Sequence, residues 1–100
     1  MNSTNNKLTG VGKFLRRLRF EHEESQEEMA NRLGVTAPYI SMLGGKQPVT
    51  KKLAMNIISV YGLNGKAKDD FVKIVSQDII MRYWGDILKS LTIKRIYANI

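Results

Sequence analysis

The side chains able to do chemistry in this chain are mostly cations. Lys46, Lys51 and Lys52 follow a short segment of helical apolar spacing, while Lys13, Arg16, Arg17 and Arg19 precede a run of acids. Sixteen Lys or Arg against nine Asp or Glu give a net charge of +7, which fits a polyanionic partner such as nucleic acid or an anionic surface. The charge is also polarised, since five of the nine acids fall between Glu21 and Glu28. Solvated helix faces with i,i+4 pairs are the ordinary fate of such charges. For Lys46, Lys51 and Lys52 the position just behind a pair of helices favours contact with phosphate instead. Arg16, Arg17 and Arg19 fit either role.

Catalysis finds little to work with. Cysteine is absent and His22 is the single histidine, so disulfides, thiol chemistry and Cys/His metal clusters are excluded. His22 sits among glutamates near a helix end and reads as an exposed or capping imidazole. Asp69 and Asp70 are adjacent, so on a helix they point to different sides and suit charge pairing in a first turn better than a metal. Gly44-Gly45-Lys46 lacks the rest of a phosphate-cradling loop. The expectation is a protein that is not an enzyme, with no cofactor, metal or small-molecule ligand. Met1 to Lys7 is polar, unlike a secretory signal, and no apolar run reaches membrane-spanning length, so a cytoplasmic protein is expected.

The elements that must position the cations are helical throughout. Ser25 is a favoured N-cap and Glu28, three residues on, can complete a capping box. Met29, Ala30 and Leu33 then share one face, and Gly34 follows where a left-handed residue would stop the helix. Val35 can plug the corner. Thr36 offers a second N-cap, Pro38 is tolerated in the first turn, and Ile40 with Leu43 faces inward. Two short helices joined by such a turn form a helix-turn-helix, whose second helix can enter a DNA major groove. Before it, Thr9 can cap a helix with Val11, Phe14, Leu15 and Leu18 inward, ending ahead of Glu23-Glu24. After it, Gly44 to Pro48 is a turn, and Thr50 can cap a fourth helix with Leu53, Ala54, Ile57, Ile58 and Tyr61 inward, ended by Gly62. A fifth helix has Asp69 and Asp70 near its start and buries Phe71, Ile74 and Val75. Met29, Met42 and Met55 are expected to fill the core.

The segment Ser25 to Leu43 resembles the lambda-repressor and Cro class of helix-turn-helix regulators, the xenobiotic-response-element type. The matching positions are Gln26, Ala30, Gly34, Val35, Ile40 and Leu43, with Gly45-Lys46 and Pro48-Val49 behind them. Phe14 to Arg19 looks like the family's first helix and Leu53 to Leu63 like its fourth, so the likeness covers about Gly12 to Val75. It implies double-stranded DNA as partner. Gln26 would contact phosphate and buttress the reading helix. Thr36, Ala37, Pro38, Ser41 and Met42 would face base edges, and Tyr39 and Lys46 would touch phosphate. Family members often carry Arg, Gln or Ser at the positions of Ala37 and Pro38 and Arg at that of Met42. Without them, readout rests on the hydroxyls of Thr36 and Ser41 and on apolar contact of Ala37 and Met42 with thymine methyls. Gly44 also replaces a commonly acidic residue, and Glu24 stands where an apolar residue usually anchors helix two.

Beyond Ser76 the likeness fades while the periodicity continues. Ile79, Ile80, Tyr83, Trp84, Ile87, Leu88 and Leu91 form a wide apolar stripe opposite Asp78, Arg82, Asp86 and Lys89. Such a stripe either packs on its own domain or closes a dimer. A homodimer through Ile80, Tyr83, Trp84, Ile87, Leu88 and Leu91 is favoured here, because a five-helix domain already has a core and regulators of this type usually bind two half-sites. Thr92 to Ile100 suits a helix or a strand.

A chain of 100 residues with 43% hydrophobic content supports one compact domain. The expected organisation is all-α: a polar disordered tail over 1–8, a five-helix lambda-repressor-like DNA-binding domain over 9–76, and an additional C-terminal amphipathic helix over 77–100. The expected function is sequence-specific transcriptional regulation, as a repressor that occupies an operator with helix 36–43. The rival is a protein-interaction module on the same fold, antitoxin-like or anti-repressor, for which the apolar Ala37, Pro38 and Met42 would suit a protein surface.

Overall fold

The hydroxyl residues marked as caps start four helices in the computed structural model, which describes residues 9–98, with side chains placed through Leu91. The expected tail over 1–8 lies outside the described residues. The helices are α1 (Gly10–Glu21), α2 (Gln26–Leu33), α3 (Ala37–Met42), α4 (Lys51–Val60) and α5 (Gly65–Ala98), and no strand occurs among the described residues. Thr9 accepts from the Gly12 amide at 3.0 Å, Thr36 from Tyr39 at 3.3 Å and Thr50 from Leu53 at 3.1 Å. The capping box is complete: the Glu28 amide donates to Ser25 Oγ at 3.0 Å and the Ser25 amide to Glu28 Oε1 at 2.7 Å. These amide and hydroxyl donors favour the ionised carboxylate, so the Glu28 carboxyl is held below its ordinary pKa. Gly34 closes α2 in the left-handed region at φ 72°.

One core joins the five helices. Val11 and Leu15 of α1, Met29 of α2, Ile57 of α4 and Phe71 of α5 are the largest fully buried side chains. Ile40 and Leu43 close the core from α3 and its end, and the Phe14 and Phe71 rings meet with centroids 5.1 Å apart. Met29 is buried as expected, but Met42 is only partly covered and Met55 is exposed, because Met55 faces the open groove between α2, α3 and α4.

Where a fifth helix and a separate C-terminal helix are expected, one continuous helix of 34 residues stands. Nothing in its interior stops it: residues 66–98 contain no proline, and Gly85 is not among the positive-φ residues. At 1.5 Å per residue α5 is about 50 Å long. The radius of gyration is therefore 16.4 Å, against about 13 Å for a compact domain of this length. The helical backbone also includes Thr92 to Ala98, so that stretch is not a strand.

The chain leaving α3 passes so close to α1 that residue 44 has no room for a side chain. A Cβ on Gly44 would lie 2.6 Å from Val11 Cβ and closer still to Thr9 Oγ1, and the backbone there is left-handed at φ 84°. This is a physical reason for glycine at that position. Gly34 shares the left-handed φ but faces open space. Gly44→Ala should therefore lower unfolding free energy in urea titration by about 2–4 kcal/mol, from backbone strain plus overpacking. Gly34→Ala should lose only about 1–2 kcal/mol, from strain alone. Equal losses would mean that the contact with α1 is not tight.

Candidate nucleic-acid interface

The outward surface of α3 is small and mostly uncharged. Thr36, Pro38 and Ser41 are exposed, Met42 is partly covered, and Ala37 and Tyr39 divide themselves between the surface and the core. Both hydroxyls are half occupied. Thr36 Oγ1 accepts from the Tyr39 amide and keeps its O–H donor free to turn outward, whereas Ser41 Oγ donates to the Pro38 carbonyl at 2.8 Å and keeps its lone pairs. The exposed edge of α3 thus offers one donor and one acceptor beside apolar carbon.

Two hollows flank this edge. Gln26, at the start of α2, shares one with Ser41, Arg19 and Gly45. Tyr39 shares the other with Thr50, Lys52, Met55 and Asn56. Asn56 is anchored there by donating its side-chain amide to the Leu33 carbonyl at 3.3 Å, which caps the end of α2. Gln26 and Ser41 are therefore neighbours across one hollow, and Tyr39 and Lys52 across the other.

Lys46, Lys51 and Lys52 are exposed and form no ion pair with a described residue. Lys51 and Lys52 occupy the first turn of α4, which contains no acid. Helix stability alone would favour carboxylates at that positive end. Two ammonium groups there add to the field of the free N–H groups, and the combination attracts anions.

Lys46 sits on a loop gripped from both sides. The Gly44 amide donates to the Gln47 carbonyl at 2.8 Å and the Gln47 amide to the Met42 carbonyl at 2.9 Å. From α5, Arg82 Nη2 donates to the Gly45 carbonyl at 2.8 Å and more weakly to the Gln47 carbonyl at 3.5 Å, while its Nε pairs with Asp78 at 2.8 Å. The helical periodicity places Arg82 and Asp78 opposite the apolar stripe. They are opposite it, and at these two residues that face is turned towards the body of the protein.

A second polar cluster replaces the apolar anchor expected at Glu24. Its carboxylate, with a side chain only 8% exposed, accepts from the Tyr61 hydroxyl at 2.6 Å and pairs with Arg32 at 2.6 Å. The Arg32 guanidinium lies 4.9 Å from the centre of the Tyr61 ring, and His22 meets that ring edge-on at 5.0 Å. Burial, and then the bond to Glu24, push the Tyr61 phenol well above its ordinary pKa. Desolvation, reinforced by Arg16, lowers that of Arg19. The cluster ties the α1–α2 link to the end of α4, the work an apolar side chain would otherwise do. Residue type alone could not announce it, since Glu24 and Tyr61 are 37 positions apart.

No group of three or more His, Cys, Asp or Glu able to hold a metal occurs among the described residues, and no described helix is long and apolar enough to cross a membrane. The chain matches no family model, no curated protein and no solved structure.

The Tyr61–Glu24 bond should be measurable as stability. Tyr61→Phe keeps the ring and its contacts but deletes the donor, so unfolding free energy should fall by about 1–2 kcal/mol. An unchanged urea midpoint would show that water replaces the phenol without loss.

Proposed function

We propose that the protein is a sequence-specific DNA-binding transcriptional regulator that acts in the cytoplasm as a repressor, in the manner of the lambda-repressor-like proteins its motif resembles. The observation that carries this reading is the arrangement around α3. A short helix with an exposed polar edge is held at a left-handed glycine turn, and Lys46, Lys51 and Lys52, which pair with no described acid, follow it in the chain. In this reading α3 lies in the major groove. Gln26, Tyr39 and the three lysines contact phosphate, and Thr36, Pro38, Ser41 and Met42 approach base edges.

The chemistry of α3 sets the kind of selectivity. A lone hydroxyl donor at Thr36 and acceptor at Ser41 cannot make the bidentate contacts worth about 1–3 kcal/mol each. Discrimination then comes from single hydrogen bonds, from thymine methyls against Met42, and from the ease with which the duplex takes the bound shape. Most of the affinity comes from phosphate neutralisation. Charge also weighs against the rival interaction module, because a protein-binding surface has no need of unpaired lysines behind α3.

Lys46→Ala tests the arrangement. Binding to every duplex should weaken by a similar factor, and the slope of log K against log salt should become shallower by about 0.9, the loss of one phosphate contact. Fluorescence anisotropy on two unrelated duplexes across a salt series reads both quantities. An unchanged slope would remove Lys46 from the interface, and salt-insensitive wild-type binding would favour the interaction module.

A further inference from the structure

Lys46 stands between two residues whose carbonyls are held by one side chain of the last helix. Phe71, Val75, Asp78 and Arg82 are spaced by four, three and four residues, so they share one face of α5. Phe71 and Val75 are buried in the core, and the unbroken helix carries Asp78 and Arg82 from there to the loop. Arg82 Nη2 donates to the Gly45 carbonyl at 2.8 Å and to the Gln47 carbonyl at 3.5 Å, on either side of Lys46. Within the loop, the Gly44 amide donates to the Gln47 carbonyl at 2.8 Å, and the Gly45 and Gln47 amides donate to the Met42 carbonyl at 3.0 and 2.9 Å. None of these bonds uses the Gly45 carbonyl, and that is the one Arg82 takes at the shorter distance.

We propose that Arg82 is a positioning residue for DNA binding, one that fixes the backbone on both sides of Lys46 and reaches no phosphate itself. This role rests on the reading of α3 and Lys46 as the DNA-facing surface. The Arg82 guanidinium is occupied within the protein: its Nε pairs with Asp78 at 2.8 Å, which offsets its charge, and the two side chains are only 32% and 16% exposed. Lys46, by contrast, is exposed and pairs with no described acid. A lysine on a loose loop must order both its backbone and its side chain when it meets a phosphate, whereas a backbone fixed beforehand leaves only the side chain to order. The shape of the holding group matters as much as its charge. A planar guanidinium presents one N–H to the carboxylate and another to the carbonyls at once, while an ammonium is a point charge that cannot span all three acceptors.

Hydrogen exchange of the free chain and duplex binding, measured on the same variants, test this role. In Arg82→Ala and in Arg82→Lys the Gly44 and Gln47 amides should exchange at least about fivefold faster, while amides of α1 and α4 keep their wild-type rates. Fluorescence anisotropy on one duplex should show both variants binding about fivefold more weakly than the wild type, because the charge retained by the lysine does not restore the fork. In a Lys46→Ala background Arg82→Ala should change the affinity by less than about twofold, since the residue it positions is gone. Unchanged exchange at Gly44 and Gln47 would overturn the proposal. So would wild-type affinity in Arg82→Lys, which would make charge the relevant property, or an undiminished loss in the Lys46→Ala background, which would detach Arg82 from Lys46. A wild-type chain that binds no duplex would instead remove the DNA reading and with it any role of Arg82 in binding, even where the exchange rates show that Arg82 holds the loop.

Discussion

The absence of a side chain at residue 44 is the constraint on which the proposed DNA-facing surface depends. Because the backbone of Gly44 rests against Thr9 and Val11, the end of α3 is set against the start of α1, and the direction of the next loop follows from that contact. The loop then returns through the Gly44–Gln47 hydrogen bond, and its outward carbonyls are taken by Arg82 of α5. Three elements far apart in sequence thus converge on the few residues that carry Lys46. A side chain at residue 44 would have to push α3 away from α1, and everything arranged around α3 would move with it.

The last helix serves two purposes because it has two faces. Its first turns complete the core through Phe71 and Val75, and its polar continuation reaches the loop through Asp78 and Arg82. Half a turn round the helix, Ile80, Tyr83, Trp84 and Leu91 are each more than half exposed. A helix that buried only one stripe would have left those residues on the solvated side as ordinary polar surface.

How much of this could be read from residues alone depended on range. The caps at Thr9, Ser25, Thr36 and Thr50 act on amides three positions away, so residue type and spacing sufficed to find them. The inward faces of α1, α2 and α4 followed from helical periodicity for the same reason. The Glu24–Tyr61 and Arg82–Gly45 contacts each span 37 positions and depend on how helices pack, so Glu24 looked like a missing anchor and Arg82 showed only that it lay opposite the apolar stripe. The apolar stripe was visible in the sequence, but its direction was not. That direction required knowing that α5 continues without a break from the face that packs on α1. Around α3 the residue types were legible, whereas the internal bonds that half occupy Thr36 and Ser41 emerged only from the folded geometry.

The central claim is that α3 and the lysines that follow it read DNA, and selection of bound fragments from a randomised duplex pool at moderate salt tests it most directly, because binding and sequence choice are read together. The account predicts enrichment of a roughly palindromic site, with the half-site repeat reflecting a two-fold pair of chains. Recovery of a pool no different from the input would contradict it and leave α3 as a surface for another protein.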